Sequence, residues 1–301
     1  MGVFQEMTGR PDNALIKAVT GLEGGCVACG STCGVVSAAA LCMALEDEAA
    51  ITAGNRETAR KTMDRVKNFV QWFESSYGTA LCRERTRADF YSTWGQVKYF
   101  LTFYRMAGCF RHIRGTMRHL NACLPRAAES VPALETKKKE KENSPPHPPS
   151  FHCAGSVLRK IKEQTGIGSS RLERLSCVFD GGVGFSGGLC GALAGAVMGI
   201  NSLLGLPVRE QSYWRTALDF GIGHVNLVKE QPLGKNDPFS AGKQIIRKFK
   251  ETVGAVECRL ITGQEFTGAD DFETFVRQSD LCRDITGMVA DEAIRIIRAH
   301  Q

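Results

Sequence analysis

Nowhere in its 301 residues does the chain alternate apolar and polar side chains over the length that a half-buried strand needs. That shortage argues against the sheet-based nucleotide folds. "GGVGFSGG" (181–188) is rich in glycine, yet it has neither the lysine of a phosphate loop nor the strand-linked G-x-G-x-x-G of a dinucleotide fold. C-x-x-C-H is also missing: Cys26 and Cys29 have the spacing but Gly30 follows, so no covalent haem is expected. The opening "MGVFQEMTGRPDNALIK" lacks the apolar stretch of an export leader, which sets the expectation of a cytoplasmic protein. Thiols stay reduced there, so the twelve cysteines are not read as a disulfide framework. The run "LCGALAGAVMGINSLLGL" (189–206) is only marginally long enough for a span. It is mostly Gly and Ala, carries Asn201 and Ser202, and has no aromatic belt. It reads as a buried helix whose Gly191, Gly195 and Gly199 admit a close neighbour, and no membrane insertion is expected. Net charge is small, +6, and spread over helical stretches such as "RETARKTMDRVK", so no nucleic-acid partner is expected. Trp72, Trp94 and Trp214 are assigned to the core.

What the chain does have is a division and a repeat. "ETKKKEKENSPPHPPS" (135–150) joins a charge block to proline pairs, a composition that favours a solvated linker between segments 1–134 and 151–301. Sliding "GGCVACGSTCGVVSAAA" (24–40) by 157 positions onto "GGVGFSGGLCGALAGAV" (181–197) superposes Gly24 on Gly181, Gly25 on Gly182, Gly30 on Gly187 and Cys33 on Cys190. "FESSYGTALCR" (73–83) matches "FKETVGAVECR" (249–259) and pairs Cys82 with Cys258. "GCFRHIRG" more loosely matches "LCRDITG", pairing Cys109 with Cys282. An ancient tandem duplication explains matches in the same order. Cys26 and Cys29 belong to the first half alone and Cys153 to the second; Cys42, Cys123 and Cys177 have no counterpart and are read as core.

Helical periodicity dominates. Ala59, Met63, Val66, Val70, Phe73 and Tyr77 form one face of a helix with Asn55 as cap and Gly78 as stop. Residues 240–253 repeat the design, with Ser240 as cap and Gly254 as stop, and residues from Asp280 to His300 form a third such helix. The fold class is therefore all-α, two similar helical halves packed together with glycine-rich turns at helix N-termini. The recurring cysteines are placed at helix ends, where dipole and free N–H groups favour a thiolate. Gly24, Gly25, Gly181, Gly182, Gly187 and Gly188 are read as letting the backbone approach the cysteine site.

"FHCAGSVLRKI", "FDGGVGFSGGLCGALAGAVMGI", "FKETVGAVECR" and "SDLCRDITG" together resemble the family named for its C–GCAxxG–C–C pattern, whose cysteine motif is similar to part of the split-Soret cytochromes. The resemblance covers residues 151 to about 298 and includes Cys153, Cys190, Cys258 and Cys282. The first half resembles a diverged copy in which Cys26 or Cys29 stands in for the first cysteine. The resemblance implies a redox role without naming a substrate, and whether the protein is an enzyme stays open. Four thiolates suit an iron–sulfur cluster for electron transfer, one centre in each half, the first drawing on Cys26, Cys29, Cys33, Cys82 and Cys109. The alternatives are metal-free thiol–disulfide exchange and a structural zinc site in an interaction module. The implied partner is a redox protein of unknown identity, with a homodimer as a further option. His152 is expected at the surface and His224 in a structural role.

Overall fold

The computed structural model describes residues 1–123, 152–234 and 237–301. The linker assigned to 135–150 lies outside these residues. The described residues form sixteen α-helices and no strand. The first half holds α1 (Gly2–Met7), α2 (Asn13–Val19), α3 (Gly34–Glu46), α4 (Glu48–Thr52), α5 (Arg56–Tyr77), α6 (Cys82–Thr86), α7 (Thr93–Leu101) and α8 (Phe103–Cys123). The second holds α9 (Cys153–Thr165), α10 (Ser170–Leu175), α11 (Gly191–Leu204), α12 (Tyr213–Val228), α13 (Pro238–Val253), α14 (Cys258–Thr262), α15 (Ala269–Gln278) and α16 (Leu281–Arg298). None of these helices is long and apolar enough to cross a membrane.

Local chemistry sets the helix ends. Asn55 caps α5 by accepting from the Thr58 amide at 3.0 Å, and Gly78 stops it at φ 91°. Ser240 does not cap α13. That role falls to Asp237, which accepts from the Ser240 amide at 2.7 Å, while Pro238 takes the first helical position, where a missing N–H costs nothing.

The repeat is written in the backbone. Cys33 N donates to Ala80 O and Cys190 N to Val256 O, both at 2.8 Å. Cys82 N donates to Ser31 O at 2.8 Å and Cys258 N to Gly188 O at 2.6 Å. Between the halves the correspondence shifts by 157 up to α3 and α11, by 176 from α5 and α13 through α7 and α15, and by 173 at Cys109 and Cys282 in α8 and α16. Residues 24–28 and 181–185 each form a left-handed turn with φ between 49° and 83°. Glycine accepts that conformation freely, but Cys26, Val27, Ala28, Val183 and Phe185 do not, and a β-branched residue there is strained. Paired backbone bonds close both turns, Gly30 N to Gly24 O at 3.1 Å and Gly187 N to Gly181 O at 2.9 Å. Gly188 lacks this conformation; its role is close approach, since a Cβ there would lie 2.2 Å from Thr32 Oγ1.

Each half completes the other. Helix α2 packs on α11, while the turn after α10 packs on α3. Thr32 Oγ1 accepts from the amide of Leu189, its own repeat counterpart, at 2.8 Å. Arg171 joins Glu48 and Asp12, and Arg83 Nη1 lies 2.8 Å from Glu257 Oε1. Two contacts between turn and long helix are reciprocal. The side chain of Val27 fills the space beside Gly242 of α13, and that of Val66 in α5 fills the space beside Gly184. Within the second half, Gly191, Gly195 and Gly199 let α9 lie directly on α11, as their spacing predicts.

Three core assignments fail. Trp94 and Trp214 are 74% and 80% exposed, and Cys123 is also exposed. Cys42 and Cys177 are buried as expected, and Trp72 is half-buried, stacked on His119.

Candidate functional site

The second half brings its four signature cysteines to the starts of four helices. Cys153 is the first residue of α9, Cys190 the N-cap of α11, Cys258 the first residue of the short α14, and Cys282 the second residue of α16. All four are buried. Burial pushes the Cys190 thiol up to about 11, although the Leu193 and Ala192 amides aimed at its sulfur oppose this. Burial likewise raises Cys258, with the Cys190 and Cys282 sulfurs adding to the rise, so these groups are electrostatic neighbours. Cys153 and Cys282 behave as a pair. Interaction with the neighbouring Cys282 sulfur, together with burial, holds the proton on Cys153. The same interaction draws Cys282 below the ordinary thiol value, against burial and Asp180.

The first half gathers three cysteines. Cys33 is the N-cap of α3 and Cys82 opens α6. Burial raises both thiols, and the neighbouring Cys33 and Cys109 sulfurs raise Cys82 further. Cys109 is not at a helix end: it lies inside α8, where Tyr99 Oη donates to its sulfur at 3.2 Å. A cation stands beside this group. Arg85 is held over the Phe73 ring at 4.7 Å and donates to Thr79 O at 2.8 Å; burial lowers its pKa, and the nearby Cys33, Cys109 and Cys82 sulfurs oppose that shift. Ile261 occupies the corresponding place in the second half.

Cys26 and Cys29 hold turn positions. Cys29 Sγ lies 3.1 Å from Gly25 O, just as its counterpart Ser186 Oγ donates to Gly182 O at 2.7 Å. Burial raises Cys29 to about 11. Cys26 replaces Val183, is wholly buried, and feels Cys29, Glu23 and Cys190, not Cys33.

Two acidic residues escaped the sequence reading. Asp180 is buried; its Oδ1 accepts from the Cys153 amide at 2.9 Å and its Oδ2 meets His152 Nδ1 at 2.5 Å. His152 is therefore not a free surface histidine. Its pKa is raised: burial lowers it, but the larger combined pull of Asp180 wins. Glu23 is the counterpart of Asp180 and faces His224 Nε2 at 3.7 Å, in a nest of Phe90, Phe220 and Phe239 rings. The signal was present, since "EGG" and "DGG" align at the same shift of 157.

A family model described as "Putative redox-active protein (C_GCAxxG_C_C)" matches residues 1–122 and again residues 151–296. The chain belongs to this family. The two matches coincide with the two halves of the repeat, so the family unit is present twice, and the family description makes the protein redox-active. No curated protein and no solved structure matches the chain. For a metal centre the donor chemistry is suitable and the placement is not. Among the described residues no three His, Cys, Asp or Glu side chains stand so that they could hold one ion. An iron–sulfur cluster and a closed zinc site both need such a gathering, so no step is derived through either.

Proposed function

We propose that the second half carries a dithiol–disulfide couple formed by Cys153 and Cys282, which makes the protein a thiol-based redox carrier. The observation that carries this reading is that Cys153 and Cys282 open two helices packed on each other, α9 and α16; their mutual interaction keeps the proton on Cys153 and leaves Cys282 the more acidic sulfur. A thiolate is the attacking species in disulfide exchange, and its position at the N-terminus of an 18-residue helix favours the negative charge. With a small disulfide as oxidant, the Cys282 thiolate attacks one sulfur and releases the first thiol. The Cys153 sulfur, losing its proton, then displaces the second and closes the Cys153–Cys282 bond. Two protons leave the protein thiols and two end on the product thiols. Both cysteines are less than 9% exposed, so the oxidant that reaches them is small. Asp180 and His152 position Cys153 through its backbone amide.

The test is a redox titration of the full chain in glutathione buffers, read by mass spectrometry of alkylated thiols. Cys153 and Cys282 should be protected from alkylation together and in a single two-electron transition. Independent oxidation of each, or no transition, would overturn the reading.

Iron–sulfur electron transfer is the second reading, favoured by one observation: four cysteines at four helix starts within one half. Anaerobic purification with iron and sulfide analysis separates the two. Stoichiometric iron and sulfide, lost in Cys190→Ala, would replace the dithiol reading with a cluster. Zinc without sulfide would replace it with a structural module.

A further inference from the structure

Helices α7 and α8 leave Trp94, Leu101, Phe103, Tyr104 and Phe110 between 70 and 82% exposed around the corner at Thr102. Side chains of this kind seldom stand in water together on a soluble surface. The repeat provides an internal control. Where α7 has Trp94 and Leu101, α15 has Asp270 and Arg277; where α8 has Phe110, α16 has Arg283. The fold therefore does not require apolar residues at these places.

Charge separates the halves in the same way. Residues 90–123 contain no Asp or Glu, and Arg111, Arg114 and Arg118 are exposed along α8 beside the aromatic residues. The matching stretch of the second half carries Asp270, Asp271, Glu273, Asp280 and Asp284. A second copy docking on this face would set arginine against arginine. The rings of Trp94, Phe103, Tyr104 and Phe110 are exposed on the helices. Aromatic and leucine side chains flanked by arginines, with no acid among them, match the chemistry of an anionic lipid surface, where rings enter the headgroup layer and cations meet phosphates.

We propose that the α7–α8 face adsorbs to anionic membrane surfaces, with the helices lying in the interface and not crossing it. This inference is independent of the dithiol reading.

The test is co-sedimentation of the full chain with phosphatidylglycerol vesicles and with phosphatidylcholine vesicles, together with tryptophan emission. Binding to the anionic vesicles alone is expected, weakened by 0.5 M salt because screening shortens the reach of the charges, roughly to 3 Å at 1 M. A blue shift that disappears in Trp94→Phe should accompany it. The variant R111Q/R114Q/R118Q should lower the partition coefficient roughly a hundredfold, on the order of 1 kcal/mol per arginine. W94S/L101Q/F110Q should abolish binding while leaving far-UV circular dichroism unchanged; these exposed positions make misfolding avoidable. Failure of the native chain to sediment with phosphatidylglycerol would overturn the proposal. So would a concentration-dependent dimer that W94S/L101Q/F110Q disrupts, because the face would then belong to a second copy.

Discussion

Of the cysteines in the second-half site, Cys282 alone is drawn below the ordinary thiol value; Cys153, Cys190 and Cys258 are pushed above it, as are Cys26, Cys33 and Cys82 in the first half. This asymmetry has a consequence for stability. In the unfolded chain these thiols ionise near 9, whereas in the folded chain the raised group keeps its protons to higher pH. Above pH 9 the unfolded state therefore binds fewer protons, and stability declines as pH rises, by about 1.4 kcal/mol per pH unit for each thiol that stays protonated. Cys282 has the opposite sign: its contribution is present above the unfolded value and fades as pH falls through the lowered one. One group against several leaves the alkaline loss dominant. Urea midpoints measured in reductant at pH 7.5, 9 and 10 should hold roughly steady and then drop. A midpoint unchanged at pH 10 would show that the thiols ionise freely in the folded protein, and so are not buried as described.

At the level of elements, the helices were legible and the turns between them only in part. Asn55, Gly78 and Gly254 announce the ends of α5 and α13 because caps and left-handed stops are local events. The 157-residue shift announces the repeat. Glycines at 24, 25, 181 and 182 announce a positive φ, but nothing local announces that Val27 or Val183 will follow them into it. Val27 packs there against Gly242 of the other half, and the turn of Val183 meets Val66 of the other half at Gly184, contacts that no short window contains. Trp94 and Trp214 were misplaced for a related reason: apolar character predicts burial somewhere, not burial within this chain. The reciprocal turn contacts give a sharp test. In one, valine comes from the turn (Val27) and glycine from the helix (Gly242); in the other, glycine comes from the turn (Gly184) and valine from the helix (Val66). The two sites are the same contact with the sizes exchanged. Val27→Gly alone leaves a cavity. Gly242→Val alone brings a Cβ within 2.5 Å of Val27 Cγ2, overpacking a closed site at a cost of about 1–3 kcal/mol. The double variant V27G/G242V rebuilds the Gly184–Val66 arrangement and removes a valine from a left-handed backbone. Its thermal midpoint should exceed that of both singles. Additive losses would show that the two contacts are not equivalent.

For the whole molecule, the exchange of contacts means that the halves form the internal equivalent of a two-fold dimer. Thr32 bonds to its own counterpart Leu189, and each long helix receives the other half's left-handed turn, the pattern of an isologous interface joined into one chain. Such an interface should not depend on the covalent connection. A protease site placed within residues 135–150 and cleaved in the folded protein should leave both fragments in one species of unchanged elution volume. The same cut in an Arg83→Ala background is the more discriminating measurement. Glu257 is buried and meets Arg83 across the interface at 2.8 Å. Removing one member of a buried pair strands the other charge, at a cost of about 3–5 kcal/mol, reduced here because the Arg83 side chain is 43% exposed. Fragments of this variant should separate at micromolar concentration, and Glu257→Leu, which installs the residue found at the equivalent Leu81, should restore their association. Separation of the unmodified fragments on cleavage would mean that residues 124–151, and not the reciprocal packing, keep the halves together.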